Sequence, residues 1–434
     1  MTKNIILLTI DALRADHVSW LGYERDTTPF LDEFSERCTV FESAYSASSH
    51  TREAVPALLT GRYPPEAVGD GFTRGAETIP ILLPDEYATA AFHSNPYVSQ
   101  AYGYDEGFDT FYDDLHLGQN KLLALVQRAL DKFILNRGEY HARAEEINRR
   151  SLSWLSSLSD SEPFFLWNHY MDVHGPYNPP ESYARWSDNI SNEEAQRLYD
   201  RLSGDKSPSD EEVKLAENLY DGEIRYVDSQ IKQFVDELDN LGFLDEPLIL
   251  ITSDHGDLFG EYGKFAHPRY VYPELTRVPL MISGPDIDSA TISAPGSTLD
   301  LVPTVLYGAN SLETELHGHP LQEADQLDKN RPVFSSATAE ESDDGIHRFA
   351  VQTSEWGVRF GRGQETGDIT EETYYTLSSR KEVEKNGDLG FRSLRSTLIE
   401  HSEQYLKRGS PVDGEGDSPV NGEVEERLEA LGYK

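Results

Sequence analysis

Residues 5–11 read Ile-Ile-Leu-Leu-Thr-Ile-Asp, an apolar run with no alternation that ends on a carboxylate. A run of this kind suits a strand buried on both faces of a parallel sheet, where a half-exposed strand would alternate. It is too short for a membrane span or the apolar core of a signal peptide, so it reads as the first strand. Four more runs share the pattern: Tyr87–Phe92, Phe164–Trp167, Leu248–Thr252 and Val278–Ile282. Helical patterns lie between them. The clearest places Val227, Ile231, Phe234, Val235 and Leu238 on one stripe. Strands alternating with amphipathic helices predict an α/β fold with a doubly wound, mostly parallel sheet flanked by helices. Ligands of such folds gather beyond the carboxyl ends of the strands, where Asp11 and Asp254 both stand.

This pattern fills residues 1–330. Within it, residues 117–150 form a basic helical insertion in which Lys121, Arg128, Lys132, Arg137, Arg143, Arg149 and Arg150 accompany a leucine-rich stripe. The first reading is a helix packed on the body with its bases balancing nearby carboxylates; a substrate lid or a contact with anionic lipid is the alternative. After residue 330 the segments shorten and alternate, around Phe349–Val351, Gly357–Phe360 and Thr373–Leu377, before a helix through Leu394–Leu406. A small antiparallel sheet with a covering helix over 331–408, an α+β subdomain, is expected. Residues 409–434 read as an acidic linker and a short helix, Glu423–Leu431.

The chain of 434 residues carries 77 Asp and Glu against 38 Lys and Arg, a formal net charge of -39. Such a surface repels nucleic acid and anionic membranes. It also matches a halophilic setting, where salt screens self-repulsion within a few ångströms. The melting temperature is therefore expected to rise between low and molar salt; a flat or falling trend would contradict the halophilic reading. Cys38 is the single cysteine, so no intrachain disulfide forms. No run approaches the roughly 18 to 20 apolar residues of a spanning helix, and the expected location is cytoplasmic. Oligomeric state is not legible.

Three segments carry chemistry. In Thr9-Ile-Asp11-Ala-Leu-Arg14, a carboxylate at a buried strand tip needs a cation, an arginine or strong hydrogen bonds. In Ser253-Asp254-His255-Gly256-Asp257, adjacent Asp and His offer an oxygen and an imidazole nitrogen from one turn, and Gly256 permits an unusual backbone. In Ser48-Ser49-His50-Thr51-Arg52, hydroxyl residues precede a helical stretch that closes at Gly61, placing Thr51 near a helix N-terminus that favours an oxyanion. Each has a structural alternative when taken alone: an Asp11–Arg14 contact, a helix N-cap Asp254, an N-cap Thr51.

In this order and spacing, the three segments resemble the sulfatase family within the alkaline-phosphatase superfamily. Gly107-Phe-Asp-Thr-Phe111, Asp172-Val-His174-Gly-Pro176-Tyr177, Gly260-Glu-Tyr-Gly263 with His267, Arg277-Val-Pro-Leu280, Asp300-Leu-Val-Pro-Thr304 and Arg427-Leu-Glu-Ala-Leu-Gly-Tyr433 extend the likeness over nearly the whole chain. The resemblance implies an alkaline-phosphatase-like fold and a metal-dependent hydrolase of sulfate or phosphate esters. It implies Asp11, Asp254 and His255 as metal ligands, with Thr51 as both ligand and nucleophile. By the same likeness His174 and His267 contact the anionic oxygens or protonate the leaving group, and Asn95 is a substrate contact.

Departures from the family pattern sharpen this. Thr51 stands where sulfatases carry the Cys or Ser converted to formylglycine, so that cofactor is not expected. The arginine that follows the nucleophile falls on Val55, leaving Arg14 or Arg52 to bind substrate, and a second acidic position is Ala12. One carboxylate fewer and an imidazole ligand favour Mn or Zn over Ca or Mg, and with few further Asp or His candidates beyond Asp172, His174 and His267 a single divalent ion is expected. The substrate would be a small anionic ester or a sulfated or phosphorylated glycan. A group transferase acting on a glycan or lipid, and a non-catalytic binder of sulfated glycans, stay open.

Overall fold

The computed structural model describes residues 4–408 apart from position 70 and the stretches 73–76, 115–140, 160–161, 205–206, 244–246, 313–315, 340–344, 377–381 and 384–388. Residues 117–140 of the basic insertion and the whole of 409–434 thus lie outside the described residues.

The opening run forms β1 (Ile5–Ile10), buried throughout. With it come β2 (Thr39–Phe41), β3 (Ala88–Phe92), β4 (Thr110–Tyr112), β5 (Phe164–Tyr170), β6 (Leu248–Ser253), β7 (Leu280–Ser283) and β8 (Ala290–Ile292). They make one eight-stranded sheet in the order β8-β2-β7-β6-β1-β5-β3-β4. The block from β6 to β4 is parallel throughout. Both faces are covered, as the unalternating runs require. Ile6, Leu8 and Ile10 point into one core with Phe164, Leu166, Ile249 and Ile251; Ile5 and Leu7 point into another with Phe165, Trp167, Leu248 and Leu250.

The run Val278–Ile282 is not one more parallel strand. Val278 pairs with Ala44 in a separate small sheet, and β7 runs antiparallel to both β6 and β2. The reason lies in the connection: between Ser253 and Leu280 the chain holds only a four-residue α-helix, Pro273–Thr276, not the crossover helix that returns a strand to parallel.

Five helices matter for the site: α1 (Thr51–Thr60), α2 (Ala144–Leu155), α3 (Asp210–Asn240), α4 (Leu301–Gly308) and α5 (Leu389–Arg408). α1 starts after extended His50 and stops at Gly61, whose φ of 65° is the left-handed cap the sequence suggests. Val55, Leu58 and Leu59 of α1 pack with Val302 and Val305 of α4 on one face of the sheet. On the other face, Val227, Ile231, Phe234, Val235 and Leu238 of α3 form the expected buried stripe. A capping box, Ser209 with Glu212, starts α3. The described end of the basic insertion runs into α2. There Arg143 pairs with buried Asp172 and Glu223 at 2.8 Å each, and Arg149 and Arg150 pair with Glu146. Arg143 thus balances carboxylates on the body, whereas Arg149 and Arg150 pair within their own helix. Removing the Arg143 guanidinium would leave two carboxylates uncompensated, a loss of about 3–5 kcal/mol.

The C-terminal region is the expected antiparallel sheet: β9 (Val333–Ala337), β10 (Ile346–Gln352), β11 (Trp356–Gly363), β12 (Ile369–Thr376) and β13 (Glu382–Val383). α5 covers it through Phe391, Leu398 and Tyr405, which join Phe349, Val351, Val358, Phe360 and Tyr374. Its first strand touches the segment before α1: Ser48 bridges to Ser336, and Ser335 Oγ donates to the Ser46 carbonyl at 2.6 Å.

Candidate active site

β1 and β6 are paired in register, Ile10 against Ser253, so their next residues, Asp11 and Asp254, emerge side by side. Ala12 turns sharply at φ 58°, a conformation that costs a residue with a Cβ about 1–2 kcal/mol. Several bonds hold that turn. Tyr220 Oη donates to the Ala12 carbonyl at 2.7 Å and accepts from Arg14 N at 2.8 Å, while Leu13 N donates to Ser253 Oγ at 3.0 Å.

Each carboxylate uses one oxygen and leaves the other unpartnered. Asp11 Oδ2 accepts from Asn95 Nδ2 at 2.8 Å and from His169 Nε2 at 3.1 Å. Asp254 Oδ1 accepts from His255 N at 2.9 Å and Ala12 N at 3.3 Å. Asp11 Oδ1 and Asp254 Oδ2 are buried without a hydrogen-bond partner. His255 donates Nδ1–H to the Gly256 carbonyl at 3.0 Å, so the neutral ring has its lone pair on Nε2. That Nε2 lies 3.6 Å from each unpartnered oxygen and 3.1 Å from Thr51 Oγ1, delivered by the first residue of α1. Two orphaned carboxylate oxygens and a hydroxyl within 3.1–3.6 Å of an imidazole nitrogen form a buried donor set that fits a divalent cation. Gly256 is needed for space rather than for an unusual φ, because a Cβ there would sit 2.2 Å from the Glu274 carbonyl oxygen.

The electrostatics agree. Burial raises Asp254, and neighbouring Asp11 raises it further. Burial also acts to raise Asp11, but the His169 hydrogen bond and nearby His174, His169 and His255 hold it well below the usual carboxylate range. For His255, burial opposes the charged form while Asp254 and Asp11 outweigh it and push the imidazole up.

Beside this point stand two more imidazoles. His267 donates Nδ1–H to Asp257 Oδ1 at 2.7 Å, and Asp257 Oδ2 accepts from the Tyr177 hydroxyl at 2.5 Å. His174 donates Nδ1–H to the Gly175 carbonyl at 2.7 Å, and burial pushes it down to about 4. The His267 ring lies 4.9 Å from the rings of both His255 and His174.

Asp11, Thr51, Asp254 and His255 are thus brought together, with His174 and His267 alongside. The three expected substrate contacts are placed differently. Arg14 engages Asp16, Glu261 and the Asp257 carbonyl through four hydrogen bonds of 2.7–3.0 Å. Asn95 is buried, and its amide group orients Asp11 and caps Tyr97 N. Arg52 is exposed on α1 next to Thr51. Sequence reasoning missed His169 and Asp257. Asp11, His169 and Asp254 form one group whose potential ligand atoms lie within 4.8 Å of one another; His255, Asp257 and His267 form a second. His169 was legible in principle, because β5 continues past Trp167 to Tyr170 and pairs His169 with Thr9, two residues before Asp11.

The sulfatase family model matches residues 3–311 of the chain. A choline-sulfatase of Rhizobium meliloti is 31% identical over 343 residues, 70% of this chain and 66% of that protein. A low-salt glycan biosynthesis sulfotransferase of Haloferax volcanii is 26% identical over 295 residues, 67% of this chain and 60% of that protein. The chain spans about two thirds or less of the length of these two relatives. Among solved structures, the phosphonate monoester hydrolase of Agrobacterium radiobacter superposes with a TM-score of 0.70 at 17% identity, over 94% of this chain and 96% of that one, a likeness of fold. With the family model spanning most of the main domain, this protein belongs to the sulfatase family, hydrolases of sulfuric or phosphoric ester bonds.

Proposed function

We propose that this protein cleaves sulfate or phosphate esters by in-line attack of the Thr51 hydroxyl, beside one divalent ion held by Asp11, Asp254 and His255. The observation that carries the reading is the gathering of the unpartnered Asp11 Oδ1 and Asp254 Oδ2 and of Thr51 Oγ1 within 3.1–3.6 Å of buried His255 Nε2. A divalent ion there lowers the pKa of a hydroxyl and offsets the charge of anionic ester oxygens. His255 Nε2 holds Thr51 Oγ1 toward the carboxylates, and the N-terminus of α1 favours the developing negative charge. Attack forms a Thr51 ester and breaks the bond to the leaving oxygen, which takes a proton; water then releases the acid.

The proton donor is His267. Asp257 accepts its Nδ1–H and so fixes the orientation of the ring, which turns Nε2 to the leaving oxygen. His174, kept neutral by burial with its Nδ1–H given to Gly175, presents only a lone pair from Nε2 and acts as the acceptor. The imidazoles around the carboxylates, now including His169, favour manganese or zinc over calcium or magnesium. Threonine at the attacking position leaves formylglycine unnecessary. The reading includes work in concentrated salt and a cytoplasmic location; among the described residues no helix is long and apolar enough to cross a membrane.

A second reading rests on the similarity to the Haloferax sulfotransferase: an alcohol of a glycan replaces water in the second step. Metal-replete protein should hydrolyse at least one of 4-nitrophenyl sulfate, 4-nitrophenyl phosphate, bis-4-nitrophenyl phosphate and 4-nitrophenyl phenylphosphonate. Product that appears only with an added glycan alcohol would select the transferase, and silence on every ester with and without acceptor would overturn both readings.

A further inference from the structure

Glu53 is a buried carboxylate on the first turn of α1, two residues after Thr51. An acid at this place commonly reaches back to the cap residue and closes a capping box. No such box forms here, because His50, the cap of α1, gives no side-chain bond to the first turn. Both Glu53 oxygens are instead committed to other segments. Oε1 lies 3.5 Å from Arg269 Nη1, while Oε2 accepts from Ser48 Oγ at 2.8 Å and from Thr338 N at 3.4 Å. Arg269 Nη1 also donates to the Thr338 carbonyl at 3.2 Å, which closes a knot of three residues far apart in the chain.

Each member of the knot belongs to a different part of the reacting centre. Glu53 shares the first turn of α1 with Thr51. Arg269 stands two residues after His267, within residues 267–272, which hold neither helix nor strand. A stretch without a backbone ladder is placed by its side-chain ties. Those ties are Asp257 at His267, Glu53 and Thr338 at Arg269, Arg348 Nη1 on the Arg269 carbonyl at 3.4 Å, and Val271 packed with Ala337 and Ala350. Thr338 directly follows β9, the strand that also holds the segment leading to Thr51: Ser335 Oγ and Ser336 N donate to the Ser46 and Ala47 carbonyls at 2.6 and 2.9 Å. The C-terminal sheet is thus a common base beneath the attacking group and the proton donor, and the Glu53–Arg269 pair is a direct strut between the segments that carry them.

In-line displacement puts the attacking and leaving oxygens on opposite sides of the central atom, so Thr51 and His267 have to keep a fixed separation. A misplacement of about 1 Å can cost about 100-fold in rate. Asp257 sets which way the His267 ring faces, whereas Glu53 ties the stretch behind that ring to the helix that begins at Thr51.

We propose that Glu53 is a positioning residue which, through Arg269, holds the proton-donating His267 in line with Thr51. The proposal goes beyond the ester-cleaving reading and rests on it for the roles of those two side chains.

Leaving-group dependence tests it, because a 4-nitrophenolate departs without a proton whereas the more basic phenolate gains from one. Phenyl and 4-nitrophenyl forms of the ester that the wild type cleaves are compared in metal-replete Glu53→Gln, Arg269→Met and double-variant protein. The amide of Glu53→Gln keeps an oxygen for Ser48 and Thr338 but turns an N–H2 toward Arg269. Each single variant should lose about ten-fold in kcat on the phenyl ester and less than about three-fold on the 4-nitrophenyl ester, with KM and bound metal unchanged. The double variant should be no slower than the slower single one, since both remove the same tie. Arg269→Lys keeps a cation beside Glu53 and should recover most of the phenyl-ester rate lost in Arg269→Met. Amide hydrogen exchange over residues 264–272 should quicken in both single variants and stay at the wild-type rate over Leu248–Ser253. Either single variant suffices for the comparison. Equal losses on the two esters, additive losses in the double variant, unchanged exchange over 264–272, or failure of both single variants to fold would overturn the strut. A wild type that cleaves neither ester sinks the ester-cleaving reading instead, and hydrogen exchange alone then decides whether Glu53 holds the stretch that carries His267.

Discussion

Thr51→Ala protein should lose turnover by a factor of at least about 10³ on any ester the wild type cleaves, with fold and metal content preserved. The loss is large because no other hydroxyl of the described site reaches the point shared by Asp11 Oδ1, Asp254 Oδ2 and His255 Nε2. Ser48 Oγ donates to Glu53 at 2.8 Å, and the buried Ser49 hydroxyl makes no hydrogen bond. The fold survives because Thr51 contributes one hydrogen bond, to His255, and its backbone already has helical geometry that alanine favours. The stability loss should stay near 1 kcal/mol. Thr51→Ser should retain measurable activity, and quenching wild-type protein during turnover should reveal an adduct on Thr51 by intact mass. Metal-replete Thr51→Ala protein that turns over within ten-fold of the wild type would remove Thr51 from the mechanism.

The second large effect concerns stability. Without a cation, the wild type keeps two buried carboxylates facing one another across His255, a costly arrangement. Chelation should lower the wild-type melting temperature by several degrees, since an ion at about a thousand times its Kd adds about 4 kcal/mol to the folded state. Asp254→Asn should abolish that dependence. In chelator the variant should exceed the wild type by about 1–2 kcal/mol, because an amide Nδ2 can donate to the orphaned Asp11 Oδ1.

The sign with pH follows from the raised Asp254. As pH climbs above the ordinary Asp range, the unfolded chain gives up its proton first, so the folded state's disadvantage builds until its own raised pKa is passed. The gap between variant and metal-free wild type should therefore widen from acid toward neutral pH. A wild type indifferent to chelator, or an asparagine variant less stable in its presence, would refute the cation site.

The legible parts of this molecule were those in which one physical requirement dominates. Unalternating runs such as Ile5–Ile10 and Leu248–Thr252 are required by a sheet covered on both faces, and a carboxylate at the end of each declared the site. The place of Thr51 at the start of α1 followed from the residues that end at Gly61. The rest depended on spatial neighbours. His169 was hidden because Asn168 breaks the apolar run that seemed to stop at Trp167, although Asn168 is buried by donating to Ser151 Oγ at 2.9 Å. The direction of β7 was set by the lack of a crossover helix, and its run alone carries no direction. Arg14 read as free for substrate because Glu261, its partner, lies 247 residues along the chain.

The bonds beneath Asp11 reach further than the site itself. Trp167 Nε1 donates to Thr9 Oγ1 at 2.9 Å, Thr9 meets His169 Nδ1 at 2.8 Å, and His169 meets Asp11, which Asn95 holds from the other side. The relay draws on β1, on β5 and on the turn after β3, and its root is an indole inside the apolar layer. Transplanting Asp11, Asp254 and His255 into another parallel sheet would therefore copy the proposed ligands without their aim. A working graft would have to carry Trp167, Thr9, His169 and Asn95 as well, which makes four neighbouring strand ends, rather than a set of side chains, the smallest transferable unit of this arrangement.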